Sequence, residues 1–146
     1  MPSARRSRII AAPAQELWEL VCDPHHLPRW WPRVERVEDV EGTAFTEVMK
    51  TAKGRSVRAD FQLSRSDQSA RALTWEQLLE GTPFARLLSS AETTVSLEAA
   101  AEGTTVTIEL RQALSGFFPR FGGFMVKRAA TATLDEALDG LERIYG

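Results

Sequence analysis

The feature that most constrains this chain is a series of period-two segments joined by short turns and closed by one long helical stripe. Val57, Ala59, Phe61 and Leu63 alternate with Arg58, Asp60, Gln62 and Ser64, the pattern of a strand with one apolar face. Ser66-Asp67-Gln68-Ser69 then turns the chain, and Leu73, Trp75, Gln77 and Leu79 share the face of a second strand, which Gly81-Thr82-Pro83 breaks. Thr93, Val95 and Leu97 alternate, Glu102-Gly103 turns, and Val106, Ile108 and Leu110 alternate again. Such short turns join antiparallel neighbours, because parallel strands need a long crossover. From about Arg120 to Tyr145 the period changes. Phe121, Phe124, Met125, Thr131, Leu134, Leu138, Leu141 and Tyr145 recur near a helical spacing and form an apolar stripe. A one-faced sheet must cover its apolar side, and this helix is the only element long enough to lie across it. The expected class is α+β, with a curved antiparallel sheet of about six or seven strands wrapped on the long C-terminal helix. The gap between the two is the expected pocket.

The first third supplies the remaining elements. Ser3 to Ala11 reads as a strand, and Pro13 suits the first turn of a helix whose apolar face is Leu17, Leu20 and Val21, with Trp18 at its edge. Asp23 is a good N-cap and Pro24 a good first helical residue, so a second short helix or turn starts there. Pro28 and Pro32 bracket Trp30 and Trp31 and limit any helix between them. The valines of Val34 to Val40 recur every third residue, which fits neither period; the stretch is read as a strand. Gly42 turns into a strand over Ala44 to Lys50, carried by Phe45, Val48 and Met49 with a bulge among them, and Lys53-Gly54 is the next turn.

Composition sets bounds on function. At 146 residues the chain is one domain, 1–146. A net charge of −2 gives no general attraction for nucleic acid or anionic membrane, and Arg5, Arg6 and Arg8 read as solvated surface. Cys22 is the only cysteine, so no internal disulfide can form and a reducing cytoplasm is the expected location. No leader is read at the start, and no apolar run approaches the ~20 residues of a spanning helix, so no integral membrane association is expected. His25 and His26 point apart as sequence neighbours, and no Cys, His, Asp or Glu set completes a zinc-like spacing; a surface or capping role is expected, and no metal. There is no Gly-rich phosphate loop and no Gly-x-Ser-x-Gly elbow, so no cofactor and no catalytic motif is assigned.

Ile9 to Trp18, with its Ala12-Pro13-Ala14-Gln15-Glu16-Leu17-Trp18 core, then Asp23-Pro24, Trp30-Trp31-Pro32 and the closing amphipathic helix, resemble the START-like (SRPBCC, polyketide cyclase/dehydrase-like) superfamily over essentially the whole chain. The resemblance implies a helix-grip fold with an apolar cavity. Members of that superfamily bind lipids, sterols, plant hormones or polyketides, and some are aromatase/cyclases. The cyclase-type members are similar in carrying an arginine on a cavity-facing strand. Here Arg58 shares its face with Asp60 and Gln62, so it is expected to point to solvent.

The expected function is binding of a small hydrophobic or aromatic ligand, lipid- or polyketide-like. A cyclase/dehydratase using the same cavity and a protein-interaction module are the alternatives. One of Trp30 and Trp31 is expected to anchor the short helices and the other to line the mouth. Phe61, Trp75, Phe84, Phe121, Phe124 and Met125 are the expected apolar contacts. Gln77 would orient a polar end of the ligand, since a buried amide needs partners. Arg128 is the one cation near the stripe that could meet an acidic ligand, although the pattern favours a solvent-facing side chain for it. Phe84, Leu87 and Leu88 around Pro83, with Phe117 and Phe118, read as a gate, as ordinary loop packing or as a homodimer contact. Cys22 reads as a small buried hydrophobe.

Overall fold

The computed structural model describes residues 3–116 and 122–146. Phe117, Phe118 and Phe121, expected at the gate and in the pocket, lie outside the described residues. The elements run β1 (Ser3–Ile10), α1 (Ala14–Val21), a 3-10 turn (Pro24–His26), α2 (Leu27–Trp30), β2 (Val34–Glu41), β3 (Ala44–Lys50), β4 (Ser56–Asp67) and β5 (Ala72–Gln77). A second 3-10 turn (Pro83–Arg86), β6 (Leu88–Ala100), β7 (Gly103–Leu114) and α3 (Gly122–Tyr145) complete the chain. The seven strands form one sheet in the order β1-β7-β6-β5-β4-β3-β2, antiparallel throughout. After β1, α1 and α2 carry the chain to the far edge, and β2 to β7 then form a six-stranded meander that brings β7 back to pair with β1. This is the helix-grip architecture, with α3 lying against β1, β7 and α2.

The three-residue valine spacing of β2 has a structural cause. The pairing of β2 with β3 slips between Val34 and Arg36 and again between Glu38 and Glu41, and Asp39 has a φ of 52°. Each extra residue resets the alternation. Val34 is thereby buried, and Val37 and Val40 pack partly buried against the same core. On β3 the register with β4 is unbroken, so no bulge lies there, and Phe45, Thr46, Glu47 and Val48 are all buried because both faces are covered. Phe45 and Glu47 face the core side. Thr46 and Val48 face outward, beneath an ion-pair lattice in which Arg58 reaches Glu38 and Asp39 and Arg36 reaches Glu38. The aliphatic stems of those arginines supply the cover.

Two close backbone approaches fix the frame. A Cβ on Gly140 of α3 would collide with the carbonyl oxygen of Trp30, so α3 and α2 meet backbone to backbone. At the other end of the sheet Gly103 opens β7 with a φ of 146°, and a Cβ there would strike the carbonyl oxygen of Ile10. The Thr104 hydroxyl beside it donates to the carbonyl of Ala12 at 2.7 Å, fully buried, and ties the Ala11-Ala12 break to the sheet.

The helical stripe departs from its expected position over its first half. The buried face of α3 is Ala130, Leu134, Ala137, Leu138, Gly140 and Leu141. Leu134, Leu138 and Leu141 are as expected. Phe124 and Met125 are each 67 % exposed, because both lie about 120° or more round the helix from Ala130. Small residues take the inner face there, and the large apolar ones stand outside.

Candidate functional site

The strand register sets the site out in rows. Leu63, Trp75, Thr93 and Leu110 pair in turn across β4, β5, β6 and β7 on the core-facing side. Next toward the Pro83–Arg86 turn come Phe45, Phe61 and Gln77, with the Phe45 and Phe61 rings stacked at 5.4 Å. Beyond them Glu47 pairs with Ala59. The deep rows are apolar, and polar side chains appear toward the turn.

The two adjacent tryptophans differ in burial. Trp30 is buried at the end of α2, under α3. Trp31 is half-buried and touches it edge-on, with centroids 5.4 Å apart. Trp31 in turn meets Trp75 edge-on at 5.4 Å. An edge-to-face contact is a favoured aromatic geometry, so the three indoles form a chain from the helices onto the sheet. Beside Trp75 lies a narrow void walled by Val21, Cys22, Leu27, Phe45, Leu63 and Leu73, with no room for a water molecule. Burial there raises the Cys22 thiol pKa, helped by Asp23, which suits a packing role. The indole N–H of Trp30 is buried without a hydrogen-bond acceptor among the described residues.

Two openings flank this interior. Leu87, Leu88, Leu110 and Gln112 face Val126, Ala129, Ala130 and Thr133 of α3 across a groove of about 250 Å³. A larger cleft of about 700 Å³ opens where β5 and β6 part after the Glu76–Glu92 pair. Its lining mixes Glu76, Glu80, Glu92 and Arg111 with Gln77, Leu78, Leu79 and Ala91. Gln77 thus shares the face of Trp75 yet sits at the edge of this open cleft.

The expected site residues therefore separate. Trp30, Trp31, Phe61 and Trp75 converge on the interior, and Phe84 packs partly buried against the same core. Phe124, Met125 and Arg128 do not join them. Phe124 and Arg128 border an outer groove with Lys127, Thr131 and Asp135, and Arg128 is exposed. The expected cavity contact by these three is corrected on that ground: the inward arc of α3 is occupied by Ala130 and Leu134. Arg58 points outward, as its alternation required. His25 is exposed and its Nδ1 lies 2.8 Å from Asp23 Oδ1, beside the N-cap bond that Asp23 accepts from the His25 amide. No group of three His, Cys, Asp or Glu side chains able to hold a metal occurs among the described residues. None of their helices is long and apolar enough to cross a membrane.

Glu47 is the residue the sequence reading passed over. Its side chain is 2 % exposed, the only carboxylate buried among the described residues. Burial pushes its pKa up to about 8, so it is a neutral acid at physiological pH. Phe45 and Met49, two residues either side of Glu47, share its face, but the apolar Val48 between Glu47 and Met49 blurs that alternation in the sequence.

Comparison with known proteins agrees with this architecture. No curated protein sequence matches the chain significantly. Among solved structures, a START superfamily protein from Mycobacterium smegmatis superposes with a TM-score of 0.79 at 16 % identity, covering 99 % of this chain and 97 % of that one. The Zhui aromatase/cyclase from Streptomyces sp. R1128 gives 0.80 at 15 % identity over 98 % of this chain and 92 % of that one. The di-domain ARO/CYC BexL from the BE-7585A biosynthetic pathway gives 0.81 at 24 % identity, covering 98 % of this chain and 46 % of that one. At these identities the likeness is one of fold. The sequence profile of one family matches residues 1–146, the whole length, and so the chain belongs to the polyketide cyclase / dehydrase and lipid transport family.

Proposed function

We propose that this protein binds a small, mostly apolar ligand between the sheet and α3, entering by the groove that Leu87, Leu88, Leu110 and Val126 line. The observation that carries this reading is the indole chain. Trp31 is half-buried and abuts Trp75, which itself borders the void, and among the described residues its ring is held by edge contacts rather than by hydrogen bonds. Displacing a half-buried ring costs less than opening a close-packed core, so this is where a ligand gains room. The apolar rows behind it supply the contact area that such ligands need. A tryptophan-fluorescence titration against fatty acids, sterols, flavonoids and aromatic polyketides tests the reading. Saturable quenching by one class supports it, and no response across the panel counts against it.

A second reading, cyclisation or dehydration of a polyketide-like substrate in the same cavity, is favoured by one observation. Glu47 is a buried, protonated carboxyl on the core-facing side of the sheet, a form able to deliver a proton. Arg58 and Arg128 both face away from the interior. Conversion of a bound ligand, followed by mass spectrometry and lost in Glu47→Gln, separates catalysis from carriage.

A further inference from the structure

The strands that hold Glu47 show how this chain treats its other carboxylates. Glu38 and Asp39 on β2 pair with Arg58, and Glu35 pairs with Lys50. All of these ride the outer rim. Glu47 alone is turned inward. Its strand partners are Val37 on β2 and Ala59 on β4, and along the strand it is flanked on the same face by Phe45 and Met49. None of these can donate or accept a side-chain hydrogen bond, and among the described residues nothing but burial acts on its titration. A buried polar group without a partner costs stability that an apolar side chain of similar size would not. A purely structural role therefore leaves the residue type unexplained.

The geometry supplies a use. Glu47 stands one row beyond Phe61 and Gln77, at the end of the apolar rows nearest the Pro83–Arg86 turn. Across from it on β4 lies Ala59, the smallest side chain on that face of the strand. A carboxylic acid in such a place has one strong donor to offer, its O–H, and the complement to a donor in apolar surroundings is an acceptor oxygen. On the ligand-binding reading above, we propose that Glu47 anchors the ligand by donating a hydrogen bond from its carboxylic acid to a carbonyl oxygen of an otherwise apolar molecule. A cationic amine is the less suited occupant, because it would have to shed its own hydration for a single buried partner.

Three probes with one skeleton test this: methyl naphthyl ketone, isopropylnaphthalene and naphthylethylamine, each titrated calorimetrically into the full-length protein. The expected result is that the ketone binds roughly 5- to 10-fold tighter than the hydrocarbon, the worth of one net hydrogen bond. Glu47→Leu is expected to erase that preference while the hydrocarbon still binds. Glu47→Gln, which keeps an N–H donor, is expected to retain it. Infrared difference spectra supply a readout that needs no change of fold: the protonated-carboxyl band absent from Glu47→Gln shifts when the ketone binds. Equal affinity for ketone and hydrocarbon, or tightest binding of the amine, overturns the anchor and leaves the ligand-binding reading standing. An unshifted carboxyl band overturns it as well. Binding of none of the three removes the anchor and the binding reading together.

Discussion

The indole of Trp31 stands edge-on to that of Trp75, with centroids 5.4 Å apart and ring planes at 77°. One ring belongs to the helical cap and the other to the middle of the sheet, so their contact is where cap and sheet meet over the void. Trp75 is 3 % exposed, and truncating it would empty the core at a cost of about 3–5 kcal/mol. Trp31 is only half-buried. Trp31→Ala is therefore expected to lower ligand affinity at least tenfold while the domain stays folded. Calorimetric affinity together with the urea midpoint checks this, and an unchanged affinity would place the ligand elsewhere.

The raised pKa of Glu47 makes stability depend on pH in a definite direction. Below the ordinary glutamate value of 4.5 the carboxyl is protonated in both folded and unfolded chains, and it contributes no pH dependence. Between 4.5 and about 8 the unfolded chain releases the proton while the folded chain keeps it. Unfolding is then favoured by about 1.4 kcal/mol for each pH unit. Above that window both forms are ionised and the penalty levels off. The side chains facing Glu47 from its own and neighbouring strands, Val37, Phe45, Met49 and Ala59, do not titrate in this range. The expected outcome is that Glu47→Gln loses less stability than the parent between pH 5 and 8, measured by urea unfolding at each pH. Parallel curves would mean that the acid is solvated or paired.

Gly140 provides a test of the frame. Alanine in a helix interior is intrinsically better than glycine by about 1 kcal/mol. At this position the added methyl meets the Trp30 carbonyl, and overpacking against backbone costs about 1–3 kcal/mol. Gly140→Ala should thus give no gain and destabilise by up to about 2 kcal/mol, and a stabilised variant would show that α2 and α3 are not in backbone contact.

Arg58 should be nearly silent by contrast. Its ion pairs with Glu38 and Asp39 lie on the exposed outer face, with 54 % of its side chain accessible. Such pairs contribute about 1 kcal/mol or less and weaken with salt. Arg58→Ala is expected to shift the unfolding midpoint slightly at low salt and to leave ligand binding unchanged. A large loss of affinity would reverse the facing assigned to β4.

The sheet was legible in the sequence where its two faces meet different media. β4, β6 and β7 each place apolar residues inward and polar ones outward, and their alternation survives in the structure. β2 was harder, because its bulges put every third residue on one side. β3 was harder again: Arg36 and Arg58 roof its outer face, so Thr46 and Val48 are buried too and the alternation that would have marked Glu47 as inward is masked. The first half of α3 misled for the opposite reason. Phe124 and Met125 have large apolar side chains, but close approach in a packed interface favours Ala130, Ala137 and Gly140, which hydrophobicity alone undervalues. The position of a residue such as Glu47 depends on a register between strands, and a single sequence carries no direct record of register.

The parting of β5 from β6 has a mechanical consequence. β6 and β7 continue for several residues past the last β5 pair, Glu76–Glu92, as a two-stranded ribbon. A ribbon supported along one side only bends more easily than the sheet from which it projects. Its tip is stitched to the Pro83–Arg86 turn through Ser115, whose hydroxyl donates to the carbonyl of Arg86 and whose amide donates to that of Leu87. Ribbon and turn form a cantilever rooted in the rigid half of the sheet, and Leu88 and Gln112, which border the groove against α3, ride on its free arm.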